Sequence, residues 1–211
     1  MQKLGGINEP FRVAAFTDVF SAQLYRSLKE WFPTENYFFY MESVGHKFSF
    51  NEHSDNFGEF LSKSPHWQGF YTWIKSQDFL DWTYHYFPYF EKEKIKYAKF
   101  EFSKMPADKG FIHIHPDSPS KIITLVYYLA HNWNQAWGGE FEASKHRINH
   151  DQDFHGVELL NGEVETIFEV PYIPNTIVFL RRQPNSLHQV RPMKGPKDKY
   201  RHSVTINLMS K

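Results

Sequence analysis

The 211-residue chain contains no cysteine, which excludes disulfides and thiolate metal sites. It has no surplus of either charge: 24 Lys and Arg balance 24 Asp and Glu. A zero balance argues against a general nucleic-acid or anionic-membrane binder, which carries a basic excess, while leaving room for a local basic patch. No apolar run approaches bilayer-crossing length, and Met1–Thr34 lacks a charged n-region followed by an apolar h-region. A soluble, cytoplasmic protein without a membrane partner is the expectation. Internal repeats, low-complexity runs and linkers are also missing. A single domain over residues 1–211 is expected, because two would be small.

What the chain has in quantity is aromatic residues and histidine. Phe alone occurs 21 times and His 12 times, so several histidines must be decoys in any search for a site. Asn8–Phe16 reads as an extended N-terminal segment. Val19–Phe32 places Val19, Phe20, Leu24, Leu28, Trp31 and Phe32 near one helical face, with Thr17, Asp18 or Ser21 as caps and Pro33 as the stop. Thr34–Gly58 is aperiodic and reads as a loop with short strands around Tyr37–Met41 and His46–Phe50. Two helices are predicted over Pro65–Lys75 and Gln77–Phe87, capped by Ser64 and Ser76. Their aromatics at helical spacing fit packing against a sheet better than a ligand box.

After Pro88 the pattern becomes strand-like. Tyr97–Met105 alternates, with Ala98, Phe100 and Phe102 opposite Lys99, Glu101 and Ser103. Gly110–His115, Ile122–Leu129, Val164–Val170, Thr176–Leu180 and His202–Leu208 are further strands, and His131–Gly139 is a turn. Helices first, then strands with no helix between them, favour an antiparallel sandwich or roll carrying a helical layer on one face. Residues 1–95 would be mostly helical support and residues 96–211 the core that holds the site.

Chemistry concentrates in Gly110–Leu129. His115 stands two residues before Asp117, at the start of a long apolar strand. A His and a carboxylate at this spacing can reach one metal ion. A third ligand then completes a 2-His-1-carboxylate facial triad with open positions on Fe(II), and His188 in NSLHQVRP is the best candidate. A surface His and a turn Asp are the bland alternative. His113, on the same strand face as His115, leaves a three-histidine set of His113, His115 and His188 open. His131, His146, His150 and His155 fall in polar segments and are expected in solvated loops. On the last strand, Arg201, Ser203, Thr205 and Asn207 share one face and Val204, Ile206 and Leu208 the other. An inward Arg201 is costly unless paired, and a bound carboxylate is a suitable partner. Lys121, Lys197 and Lys199 could replace it, but none opens an alternating strand. Arg181 and Arg182 are adjacent, so at most one can face inward.

The ordered set HPD (His115–Asp117), YYL (Tyr127–Leu129), WGGEF (Trp137–Phe141), HQVRP (His188–Pro192) and YRHSVTINL (Tyr200–Leu208) resembles the Fe(II)/2-oxoglutarate-dependent dioxygenase superfamily, in its prolyl-4-hydroxylase-like branch. The resemblance covers Tyr97 to Leu208. It implies a mainly β (α+β) fold, a cupin-like double-stranded β-helix or jelly roll with N-terminal helices packed on one face. It also implies His115, Asp117 and His188 as iron ligands, Arg201 as the partner of the distal carboxylate of 2-oxoglutarate, and Tyr128 and Thr205 as further cosubstrate contacts. Met105 stands where this branch often has a tyrosine. The implied cofactors are Fe(II), 2-oxoglutarate and O₂, with ascorbate in support. The implied reaction hydroxylates a protein side chain such as proline, a free amino acid or a small metabolite, and releases succinate and CO₂. A cupin-like binding protein without turnover is the alternative class. The His-rich polar stretch Ser144–Gly162 gives no substrate assignment.

Overall fold

The computed structural model describes residues 1–146 and 164–211. In chain order the elements are β1 (Gln2–Ile7), β2 (Val13–Thr17), α1 (Ala22–Glu30), β3 (Phe39–Met41), β4 (Gly45–Asn51), α2 (Phe57–Lys63), α3 (Pro65–Ile74) and α4 (Gln77–Tyr86). Then come β5 (Tyr97–Pro106), β6 (Phe111–Pro116), β7 (Lys121–Tyr128), β8 (Phe141–His146), β9 (Val164–Val170), β10 (Thr176–Arg181), β11 (Leu187–Val190) and β12 (Tyr200–Met209). Among the described residues, no helix is long and apolar enough to cross a membrane.

Among the described residues every strand pairing is antiparallel. One sheet runs β1-β2-β10-β7-β12-β5-β4, with β3 beside β4. The same β4 leads into a second sheet, β6-β11-β8-β9. Two antiparallel sheets that share a strand give the expected jelly roll. The helices cover the outer face of the larger sheet. Alternation decides which residues meet them: Phe100 and Phe102 of β5, Ile123, Leu125 and Tyr127 of β7, and Val204, Ile206 and Leu208 of β12 share a core with Leu28, Phe60, Trp67, Phe70 and Phe79. Each fully buried side chain of this size contributes about 1.5–3 kcal/mol relative to exposure. The opposite faces of the same strands are left to line the interior of the roll.

Several expectations are corrected. In the 1–95 region β2, β3 and β4 lie where an extended segment and two short strands are expected, whereas β1 begins ahead of the extended segment and was not expected. Helix α2 starts inside the predicted loop, because Phe57, Phe60 and Leu61 recur at helical spacing and pack on the sheet. Of the three cap candidates for α1, Ser21 receives the Leu24 N–H, and Ser76 caps α4 through the Phe79 N–H. Ser64 makes no side-chain cap bond; Pro65 starts α3 instead. β8 and β11 were legible only as family motifs, since each is short and carries polar residues. His146 ends β8 rather than lying in a loop. His150, His155 and all but the first residues of Ser144–Gly162 lie outside the described residues.

Candidate active site

The site is built where β6 and β11 pair. Their register sets His188 directly opposite His115, and the ring centroids are 4.4 Å apart. Asp117 follows the end of β6 and turns inward, with Oδ1 3.9 Å from His188 Nε2. One ligand atom from each of the three residues falls within 4.8 Å of the others, the one such cluster among the described residues. His113 is exposed, its ring packed edge-on against Phe111. Only its carbonyl touches the site, so the three-histidine set is not assembled.

The donor atoms are prepared for a metal. His115 Nδ1 donates to the His113 carbonyl at 2.7 Å, and His188 Nδ1 faces the Ser186 carbonyl at 3.3 Å. Carbonyls only accept, so each ring carries its proton on Nδ1 and leaves the Nε2 lone pair free. Burial, then the neighbouring His188, pulls His115 down to about 3. Burial likewise lowers His188. Both imidazoles are therefore neutral at neutral pH. For Asp117 burial acts upward. It is outweighed by the charge of Lys121 and by hydrogen bonds from Lys121 and Thr124, so the carboxyl is held below its ordinary value. Two neutral imidazoles and one ionised carboxylate beside a cavity fit Fe(II).

The carboxylate is also oriented from behind. Thr124 Oγ1 lies 2.6 Å from Asp117 Oδ2 and 2.8 Å from the Asn207 side-chain amide. A hydroxyl has one proton to donate. With that proton given to Asp117, the Asn207 amide, whose Oδ1 stands at 2.8 Å, must be turned over so that its nitrogen donates to Thr124.

A cavity of about 220 Å³ opens from the cluster between the sheets. Its walls include Met105, Thr124, Val126, Phe141, Arg201, Ser203 and Thr205, so the polar face of β12 points inward as its alternation predicts. Arg201 is 1% exposed. Its Nε donates to the Gly139 carbonyl at 2.8 Å and its Nη1 to Ser203 Oγ at 3.2 Å, and the guanidinium lies over the Tyr128 and Tyr172 rings. Gly139 has φ 87°, and a Cβ there would come within 3.3 Å of the Arg201 side chain. The second glycine of WGGEF thus admits the arginine. Among the described residues, Nη2 has no hydrogen-bond partner. No described carboxylate pairs with the guanidinium. A buried charge in this state is costly unless a ligand completes it.

Thr205 stands in the cavity wall. Tyr128 is fully buried, with the Arg201 guanidinium over its ring, and burial raises its pKa to about 12. The competing cations are elsewhere. Lys197 and Lys199 are exposed, and Lys199 pairs with Asp198. Arg181 donates to the Tyr89 carbonyl, whereas Arg182 turns toward the site and donates to the Asp117 carbonyl at 3.4 Å. Sequence reasoning missed Lys47, which reaches Glu101 at 2.5 Å on the cavity wall. It also missed the roles of Lys121 and Thr124. Thr124 had a signal: it is the one polar residue in the run Ile122–Val126 of β7.

The chain matches the family described as the 2OG-Fe(II) oxygenase superfamily over residues 100–209, slightly more than half its length. It belongs to that superfamily, and it is a 2-oxoglutarate-dependent Fe(II) dioxygenase. Its fold is similar to that of a prolyl-4-hydroxylase from Pseudomonas putida, at 15% identity and TM-score 0.55, covering 95% of this chain and 93% of that one. It is similar as well to a prolyl hydroxylase from Trichoplax adhaerens in complex with a hypoxia-inducible-factor peptide, at 13% identity and TM-score 0.56, covering 94% and 83%. A third similar structure is HygX from Streptomyces hygroscopicus with nickel and 2-oxoglutarate bound, at 7% identity and TM-score 0.55, covering 93% and 82%. No curated protein matches the chain in sequence.

Proposed function

We propose that residues 1–211 act as one dioxygenase domain that hydroxylates a protein side chain such as proline, a free amino acid or a small metabolite, with release of succinate and CO₂. One observation carries this reading. A neutral His₂ and ionised Asp cluster shares a cavity with a buried arginine that lacks a carboxylate. His115 and His188 would hold Fe(II) through Nε2 and Asp117 through Oδ1. Bound Fe(II) supplies the O₂-dependent oxidising power for decarboxylation and C–H hydroxylation. Arg201 would orient the cosubstrate by gripping its distal carboxylate with Nη2. Thr205 from the wall and Tyr128 from beneath the guanidinium would add hydroxyl contacts. Met105, Val126 and Phe141 supply the apolar part of the cavity wall. The complete donor set weighs against a binding protein without turnover, and the zero net charge weighs against a nucleic-acid substrate.

The test is succinate release from 2-oxoglutarate with Fe(II), O₂ and ascorbate, run with candidate prolyl peptides, amino acids and metabolites. Turnover should vanish in His115→Ala, Asp117→Ala and His188→Ala and persist in His113→Ala. Persistence in Asp117→Ala with loss in His113→Ala would reverse the ligand assignment.

A further inference from the structure

Asp117 presents its two carboxylate oxygens to different partners. Oδ2 is fixed by the neutral Thr124 hydroxyl at 2.6 Å, itself backed by Asn207. Oδ1, the oxygen 3.9 Å from His188 Nε2, is paired with the ammonium of Lys121, four residues on at the start of β7. The oxygen that completes the cluster is thus the one that a side-chain cation occupies. The Asp117 side chain is 1% exposed and that of Lys121 23%. A carboxylate buried to this degree is costly to keep charged without a positive partner. Once a divalent ion sits at Oδ1, an ammonium on the same atom is repelled. Lys121 lies in the cavity wall on a flexible four-carbon stem, so its ammonium can move to water without any change in the backbone. Thr124 holds Asp117 in place meanwhile.

We propose that Lys121 is a placeholder cation, which neutralises Asp117 while the site lacks metal and releases it when Fe(II) binds. The proposal rests on the reading of His115, Asp117 and His188 as metal ligands. It assigns Lys121 a positioning role with a signature of its own. Lys121 stabilises the metal-free protein and competes with the metal, so removing it must move these two properties in opposite directions. A static structural ion pair would move both the same way, because a looser carboxylate is both less stable and a poorer ligand.

The experiment compares the metal-free chain of residues 1–211 with its Lys121→Met variant in the same buffer. Thermal unfolding is measured without metal, and Fe(II) affinity by anaerobic calorimetry without 2-oxoglutarate. The expected result is a lower Tm for the metal-free variant together with Fe(II) binding tighter by about tenfold. If Lys121→Met does not fold, Lys121→Gln, which can still donate a hydrogen bond, is measured in the same way and should shift both properties less. Unchanged or weaker Fe(II) binding in the folded variant overturns the placeholder. Absence of Fe(II) binding in wild type overturns the ligand reading and the placeholder together. Wild-type binding that Asp117→Ala abolishes and Lys121→Met leaves untouched overturns the placeholder alone.

Discussion

Arg201 shows how much one buried side chain can say. Its Nε and Nη1 are committed to Gly139 and Ser203, two aromatic rings flank it, and the remaining nitrogen is left for a ligand in the cavity. If the distal carboxylate of 2-oxoglutarate is that ligand, Arg201→Ala leaves a desolvated anion without its partner. Such a loss costs about 3–5 kcal/mol, or roughly two to four decades of affinity. Arg201→Lys should recover only part, since an ammonium cannot keep the hydrogen bonds to Gly139 and Ser203 that aim the third nitrogen at the ligand. The readout is the visible charge-transfer absorption of the anaerobic Fe(II)–2-oxoglutarate complex, titrated with cosubstrate. Fe(II) binding itself should survive in both variants. Unchanged 2-oxoglutarate affinity in Arg201→Ala would end the assignment.

At the scale of elements, the fold was legible where periodicity was long and clean. The alternation of β5 and β12 put Phe100, Phe102, Val204 and Ile206 against the helices and Glu101, Ser103, Arg201 and Thr205 into the cavity, as the structure has them. Legibility failed where pairing rather than side-chain pattern makes the strand. β11 is four residues long and carries His188, yet it is held between β6 and β8 by a register that local sequence does not encode. The opposition of His188 and His115 is likewise a long-range fact that only the sheet supplies. Lys121 was weighed as a stand-in for Arg201, whereas its i,i+4 offset from Asp117 brings it to the ligand instead. The helical layer gives a prediction of its own. Phe79 is 1% exposed, packed edge-on to Trp73 and stacked with Trp82 on the outer side of the sheet. Phe79→Ala should lower stability by about 3–5 kcal/mol in chemical denaturation. Fe(II) bound per folded molecule should not change, because none of these rings touches the cavity. Loss of metal binding at unchanged stability would tie α4 to the site.

At the scale of the whole molecule, neutral buried histidines set a limit on acid tolerance. His115, His188 and His202 are all lowered, burial being the foremost cause in each. His202 is the informative one, because it faces the helical side of β12, away from the cavity. It stacks on Phe32 at 4.2 Å between ring centroids, and burial, then Lys104 and His131, brings it to about 4 from an ordinary 6.5. In the window between those values the unfolded chain binds a proton that the native protein refuses. Stability is therefore complete above about pH 6.5 and is lost as pH falls toward about 4. For His202 alone the difference is worth ~3 kcal/mol at the acid end. Asp117, whose pKa is also lowered, adds loss of the same sign at still lower pH. The midpoint of thermal unfolding should be flat between about pH 7 and 8 and decline steadily below about 6.5. His202→Phe keeps an aromatic ring against Phe32 and removes the titrating group, so its decline should be shallower than that of wild type. Equal slopes in the two proteins would mean that His202 is protonated in the native state as readily as in the unfolded one, and the acid limit would then rest on His115 and His188.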